Sequence, residues 1–323
     1  MSLQRRSIFA ALALMSPPLI ADTLWVPGVS IESGWIDYEK TIQKGDGDDN
    51  LCWAASSANI IDYWQQLYVT PSNAPTGEAI WTTFKEACTV DTGGNLVYAM
   101  QWWLGGDYQG STRYDDSSSE FSTRINDRAY WVTSERATVP ITTNIDEFSG
   151  YYWELIPSNY PNSYNYYNYG KVENLRDFIL YCGPRSQNDA NVSLEEIQMG
   201  LSAGAPLSLG LNDTNNRLSH AITLWGIEYD ETGLKSIWIT DSDDYQHQLR
   251  NVEVTYKEGD SITLYLSGYS NYSGYGDIYI SSYSGINVAE SNTWNLTPAI
   301  PEYTSAVLSL LALSALGMRR RRK

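Results

Sequence analysis

Cys52 stands at the start of a predicted helix, where a thiol is well placed to act as a nucleophile. The three residues at 48–50, Asp-Asp-Asn, are of types that cap helices. Apolar residues then recur at helical spacing: Ala54, Ala58, Ile61 and Trp64. The unpaired N–H groups of a first helical turn and the positive end of its dipole both favour the thiolate. A buried structural cysteine fits the same pattern, because free cysteine often behaves as a small core residue.

Two histidines, His220 and His247, are available as the base that such a thiol requires. The base takes the thiol proton and later protonates the leaving group. His220 lies in a segment with the alternation of a strand, 219–229. His247 lies in a polar stretch that predicts no strand, so His220 is the candidate base. A structural histidine paired with an acidic neighbour is the alternative interpretation of His220.

Strand pairing predicts a carboxylate beside His220. A turn signal at 230–233 separates two predicted strands and makes them a hairpin. In that hairpin His220 falls opposite residues 241–243, where Asp241 and Asp243 share one face because side chains alternate. A carboxylate in this position orients the imidazole and stabilises its charged form.

The elements that carry these residues are helices first and strands afterwards. Spacing and end signals predict helices over 51–68, 77–88, 93–105, 173–182 and 194–202. Alternation predicts strands over 206–211, 219–229 and 236–241. This order predicts an α+β fold, with the helix of Cys52 packed on an antiparallel sheet.

Both ends of the chain are predicted to direct export. Residues 1–21 join Arg5 and Arg6 to a short apolar run and a small-residue end, which is typical of a secretory signal. At the other end, a Pro-Glu pair, an apolar stretch and five basic residues resemble a PEP-CTERM bacterial sorting signal within 291–323. The stretch is shorter than the ~20 residues of a comfortable span. We expect secretion, or attachment to a bacterial envelope, with one large domain over 22–290.

Charge and composition restrict the partners. The two terminal segments hold seven of the 21 basic and one of the 38 acidic residues, so 22–300 carries a formal charge of −23. That charge repels nucleic acid and anionic membrane, so no nucleic-acid partner is expected. It suits a basic partner surface, or high solubility alone.

The cysteines and histidines predict neither a metal site nor a cofactor, because no cluster of them has metal-ligand spacing. Three cysteines in an exported chain leave one thiol unpaired, and a Cys88–Cys182 bridge stays open. Two tyrosine-rich stretches, 150–169 and 265–283, are typical either of binding loops or of ordinary loops and edge strands.

Three motifs follow one another along the chain: Asp-Asp-Asn-Leu-Cys52-Trp-Ala-Ala, His220-Ala-Ile-Thr-Leu-Trp-Gly226 and Ile239-Thr-Asp241-Ser-Asp243. Together they resemble the IdeS/Mac-type immunoglobulin-degrading cysteine proteases, a branch of the papain-like superfamily, over about 35–244. The resemblance implies a papain-like protease fold. It implies Cys52 as nucleophile, His220 as base, Asp241 as the orienting carboxylate and Asp243 as its support.

The resemblance also implies a lysine upstream of the nucleophile that helps to stabilise the oxyanion. The segment 35–42, Trp-Ile-Asp-Tyr-Glu-Lys-Thr-Ile, points to Lys40, with Lys44 as a competitor. An ammonium aimed at the developing oxyanion complements the backbone N–H of the nucleophile. A solvated surface lysine is the alternative.

The expected function is a cysteine endopeptidase that acts on a large protein, immunoglobulin-like if the resemblance extends to the substrate. The chain departs from the family pattern in its tyrosine-rich insert, its C-terminal segment and Trp53. These features are expected to affect the choice of substrate rather than the chemistry. Two alternatives stay open. One is an amidase or transglutaminase with the same catalytic residues, and the other is a catalytically idle protein that binds a host partner.

Overall fold

The structure is a computed structural model that describes residues 21–41, 48–87, 96–105, 150–156, 178–182, 192–257, 260–269, 274–291 and 293–299. Within these ranges the strands are β1 (Asp22–Trp25), β2 (Ile179–Cys182), β3 (Leu207–Asp213), β4 (Ser219–Asp230), β5 (Gly233–Thr240), β6 (Arg250–Lys257), β7 (Asp260–Ser267) and β8 (Ile278–Ile286). The helices are α1 (Cys52–Gln66), α2 (Glu78–Ala87), α3 (Leu96–Gly105), α4 (Leu194–Ser202) and α5 (Val288–Ser291), with one 3₁₀ turn at Trp153–Leu155.

Six of the strands close into an antiparallel barrel. They pair in the order β4, β3, β8, β7, β6, β5, and β5 pairs back to β4. The other two strands extend the sheet, since β1 pairs with β4 and β2 pairs with β8. Closure leaves each of the six barrel strands paired on both edges, which removes the exposed edges of an open sheet.

The predicted α+β, papain-like fold is wrong for the described residues, which are mostly β around this barrel and include few helices. Strands β6, β7 and β8 account for much of the difference. The segments of β7 and β8 are rich in Tyr, Ser and Thr, and their part of the chain was interpreted either as binding loops or as ordinary loops and edge strands, while no strand was predicted for β6. Tyrosine and threonine suit the pleated, half-buried surface of a strand, and here they complete a barrel instead of forming binding loops.

Local patterns succeeded for several elements and failed for one. Where the structure describes them, the helices predicted over 51–68, 77–88, 93–105 and 194–202 are confirmed, the last with its capping box. The predicted helix over 173–182 is wrong at its described end, because Ile179–Cys182 is a strand that pairs with β8. A short apolar run does not distinguish a buried helix from a buried strand, and here the pairing partner decides.

Helix α1 lies against the wall of the barrel and is buried on all sides. Every residue from Cys52 to Gln65 is buried, so this helix is central to the domain. Its small residues Ala54, Ala55 and Ala58 are fully buried. On one side α1 contacts α2 and α3, and on the other it contacts β3, β4 and β8.

Several predictions fall outside the described residues. Most of both terminal segments does so, at 1–20 and 300–323, and so do Cys88 and most of the tyrosine-rich stretch 150–169. Residues 293–299 pack on the domain, where Trp294 stacks on Phe178 with ring centroids 4.3 Å apart. Within the described part of the chain, no helix has the length and apolar character needed to cross a membrane.

Candidate active site

The ends of three elements meet beside the start of α1. Cys52 is the first residue of α1, His220 is the second residue of β4, and Asp241 directly follows β5. The predicted hairpin is confirmed: Asp230 pairs with Gly233 at its turn, and Thr223 pairs with Thr240 at its other end. Pairing of β4 with β5 therefore carries Asp241 to His220.

His220 and Asp241 form a buried pair, with His220 Nε2 2.8 Å from Asp241 Oδ1. Burial alone raises the pKa of Asp241, but the His220 charge and hydrogen bonds from His220, Tyr269 and the Asp243 N–H lower it to about 2. Asp241 is therefore ionised at neutral pH and is a strong acceptor for the imidazole.

The side chain of Cys52 hydrogen bonds to His220. Burial raises the pKa of the Cys52 thiol, but the charge and hydrogen bond of His220, together with the ammonium of Lys40, outweigh burial and lower it. Burial likewise lowers the pKa of His220, and the charges of Cys52 and Asp241 raise it well above its ordinary value. Both shifts favour a thiolate beside an imidazolium.

Lys40 is buried at the same site, and its ammonium forms an ion pair with Asp243, Nζ to Oδ1 at 2.5 Å. Nζ also donates to the backbone carbonyl of Asp49, and the Lys40 N–H donates to the Ser242 carbonyl at 3.1 Å. Burial lowers the pKa of Lys40, but Asp243 and the Cys52 charge outweigh it, so the pKa is raised and the ammonium stays charged. Lys44 lies outside the described residues.

The turn that precedes α1 holds the Lys40 segment rather than capping the helix. The N-cap residue is Leu51, and no side-chain cap bond forms there. Asp48 instead accepts hydrogen bonds from the Thr41 N–H and hydroxyl at 3.0 and 2.7 Å. As the first helical residue, Cys52 has an N–H that lies outside the helical ladder, which suits it to receive an oxyanion.

A buried hydroxyl network connects the elements that carry these residues. Ser56, one turn after Cys52, contacts the hydroxyls of Ser208 and Thr223 at 2.8 and 2.9 Å. Asn59 donates to Thr223 at 3.0 Å and accepts from the Tyr38 N–H at 3.0 Å. The network therefore ties α1 to β3, to β4 and to the segment of Lys40.

Two residues that the sequence analysis did not identify contact the second oxygen of Asp241. Tyr269, just beyond β7, donates its hydroxyl to Asp241 Oδ2 at 2.5 Å. Arg250, the first residue of β6, places Nη1 3.5 Å from the same oxygen. Tyr269 belongs to the second tyrosine-rich stretch, but no local pattern connects it to Asp241, because the contact depends on how the barrel closes.

His247 packs against the segment that precedes Lys40. Its ring packs on Trp35 with centroids 4.9 Å apart, and its Nδ1 lies 3.1 Å from the Asp37 carbonyl.

The loop of residues 241–248 places Tyr245 at the surface with φ +56°, a left-handed conformation that is rare for a bulky residue.

Within the described residues, one cluster has side chains of metal-ligating types close together: His220, Asp241 and Asp243. His220 Nε2 is already engaged by Asp241, and the Lys40 ammonium occupies Asp243 Oδ1. A positive charge in that place disfavours a second cation, so the donor set fits proton transfer better than metal binding.

Part of the chain is similar to a known protein family. A family model described as Mac 1 matches residues 154–271, which include His220, Asp241, Asp243, Arg250 and Tyr269 but neither Cys52 nor Lys40. The match confirms the resemblance to the IdeS/Mac type for the motifs of His220 and Asp241, while the motif of Cys52 lies outside the matched residues. A search of curated proteins found no match.

Proposed function

We propose that this protein is a cysteine endopeptidase that hydrolyses peptide bonds in a large protein substrate. One observation carries the proposal: the Cys52 side chain hydrogen bonds to His220, whose Nε2 lies 2.8 Å from the buried Asp241 carboxylate. Nucleophilic acyl transfer requires a thiol, a base and an orienting carboxylate in this sequence of contacts.

The first half of the reaction forms a thioester. His220 takes the Cys52 proton, and the thiolate sulfur attacks the carbonyl carbon of the peptide bond. The carbonyl oxygen becomes an oxyanion, which the Lys40 ammonium and the Cys52 N–H stabilise. Collapse of this intermediate breaks the C–N bond, and the leaving amine takes its proton from the imidazolium of His220.

The second half releases the acyl group. His220 removes a proton from water, whose oxygen attacks the thioester carbon. The C–S bond breaks, the sulfur regains the proton from His220, and a carboxylic acid leaves. Throughout both halves Asp241 stays ionised and holds the imidazole, because the pKa of Asp241 is about 2.

Immunoglobulin G is the first substrate to test. The IdeS/Mac resemblance supports an immunoglobulin-like target, and the acidic charge of residues 22–300 suits a basic region on a partner. The signal-like residues 1–21 and the apolar, then basic, C-terminal segment support export and display on a bacterial envelope.

The experiment compares the purified protein with its Cys52→Ala variant on intact IgG and on unrelated secreted proteins, under mild reduction. Intact mass measures the products. Discrete fragments that only the wild type makes are the expected result. Fragments of another protein keep the chemistry and change the substrate, while products with an added amine or a hydrolysed non-peptide amide indicate the transglutaminase or amidase alternative.

The proposal fails if no protein is cleaved and Cys52 also resists iodoacetamide at neutral pH. In that case the catalytically idle binding protein becomes the preferred function. Binding of a host partner that is equal for the wild type and for Cys52→Ala, without turnover, then supports that alternative.

A further inference from the structure

Asp241 receives donors of different kinds on its two oxygens. Oδ1 lies 2.8 Å from His220 Nε2 and accepts the Asp243 N–H at 3.1 Å. Oδ2 accepts the Tyr269 hydroxyl at 2.5 Å, and Arg250 lies 3.5 Å away. Because the carboxylate is fully buried, each of these bonds also replaces hydration that the charge has lost.

Barrel closure brings the Oδ2 donors into place. Arg250 in β6 pairs with Ile239, two residues before Asp241. Ser267 in β7 pairs with Glu253, and Tyr269 follows two residues later. Asp241, Arg250 and Tyr269 thus stand at one end of three neighbouring strands, and the guanidinium lies over the phenol ring, 5.3 Å from its centroid.

We propose that Tyr269 is a positioning residue for catalysis, which fixes the rotation of the Asp241 carboxylate so that Oδ1 faces His220, and that Arg250 holds the Tyr269 ring in place. Without the hydroxyl, Oδ2 loses its short donor and the carboxylate turns toward Arg250. The imidazolium then loses part of its stabilisation, and so does the Cys52 thiolate that depends on it.

This inference rests on the proposed function, but its test needs no substrate. The rate at which iodoacetamide alkylates Cys52 is measured against pH, and its acid limb reports the pKa of the thiol. In Tyr269→Phe the limb should move to higher pH by about one unit, so that alkylation is ~10-fold slower on that limb. Once a substrate is found, kcat should fall by a similar factor with little change in KM.

Tyr63→Phe is the matched control. Tyr63 is as buried as Tyr269 and also donates one hydroxyl hydrogen bond, to the Pro27 carbonyl at 2.7 Å, in the last turn of α1, about three turns from Cys52. Both variants should lose similar thermal stability, and only Tyr269→Phe should shift the alkylation profile. Arg250→Gln should shift it in the same direction by less, and it serves if Tyr269→Phe does not fold.

Coincident profiles for the wild type, Tyr269→Phe and Arg250→Gln would overturn the inference and leave the proposed function standing. A wild type whose Cys52 titrates like an ordinary thiol would instead contradict the proposed function itself. A shift in Tyr63→Phe equal to that in Tyr269→Phe would mean that any loss of packing perturbs the thiol, which also rejects a specific role for Tyr269.

Discussion

Buried Lys40 and half-buried Asp243 form an ion pair, with Nζ 2.5 Å from Oδ1, at the point where the segment before α1 meets the end of β5. The second oxygen of Asp243 lies 3.8 Å from His220 Nδ1. Asp243 therefore stands between the cation proposed to stabilise the oxyanion and the proposed base. This position gives Asp243 a role different from that of Asp241, which contacts His220 through Nε2.

Replacement of Lys40 by methionine should lower kcat about 10²–10³-fold, because the variant loses a preorganised charge at the oxyanion. It should also raise the pKa of the Cys52 thiol, which the ammonium helps to lower. Substrate turnover and iodoacetamide kinetics measure the two effects. Lys235→Met, at a half-exposed surface pair with Asp230, is the control. Normal kcat in Lys40→Met would assign the oxyanion to other donors.

Replacement by asparagine should reduce kcat far more at Asp241 than at Asp243. Asp241→Asn should reduce kcat about 10⁴-fold, because an amide favours the wrong tautomer and cannot stabilise the imidazolium. Asp243→Asn should cost much less, because Asp243 contacts His220 only at 3.8 Å and its charge opposes the thiolate. Single-turnover rates of the two variants measure the difference. Equal losses would contradict the separate roles.

Glu39 should make the protein lose stability as the pH rises. Its carboxyl lies beside that of Asp37, and no donor among the described residues reaches either Glu39 oxygen. Burial, followed by the Asp37 charge, raises the pKa of Glu39 from about 4.5 to about 9. The folded state thus holds a proton that the unfolded state releases, so this contribution is complete below pH 4.5 and is lost toward pH 9.

In Glu39→Gln the side-chain amide can still donate a hydrogen bond, as the protonated carboxyl does, but it does not titrate. The melting temperature of this variant should therefore fall less than that of the wild type between pH 6 and pH 9. Thermal unfolding across this range measures the effect. Glu228→Gln, on the barrel strand β4, is a control that should follow the wild type. Parallel curves for Glu39→Gln and the wild type would show that the carboxyl pair holds no proton.

Asp213 should support stability in the opposite pH direction. Its buried carboxylate accepts N–H groups of Asn215, Arg217, Leu218 and Gly276 at 2.5 to 3.2 Å, which fixes the turn before His220. Burial raises its pKa, but these bonds outweigh burial and lower it. The stabilisation is therefore present at neutral pH and is lost as the pH falls through the folded pKa.

Asp213→Asn should lower the urea midpoint at pH 7 and narrow the gap between the midpoints at pH 7 and pH 3. Urea unfolding at both values measures this. An unchanged midpoint at pH 7 would mean that the charge adds nothing to the four hydrogen bonds.

Tyr245 should contact the substrate at the rim of the site. It is 46% exposed, its backbone has φ +56°, and its phenol is near enough to Lys40 to affect that ammonium. Tyr245→Gly should stabilise the fold by about 1 kcal/mol by relieving strain, while Tyr245→Ala should not. Both variants should raise KM, measured with the cleaved substrate. An unchanged KM in both would leave the ring without a substrate contact.

Sequence patterns alone located much of the site because its signals are local. The helix of Cys52 follows from apolar spacing, and the pairing that carries Asp241 to His220 follows from alternation and one turn. Each depends on residues within one helix or one hairpin. The turn at 48–50 shows the limit of such reasoning: its residues have the types of helix caps, but Asp48 binds Thr41 in another segment.

Tertiary structure alone decided the barrel and the surroundings of Asp241. Pairing of β4 with β5 closes a ring of strands, and this closure brings Arg250 and Tyr269 to the same carboxylate oxygen. The contact between Asp241 and Tyr269 spans 28 positions and depends on two further strand registers. No local spacing encodes those registers, because they arise from the packing of all six strands around one core.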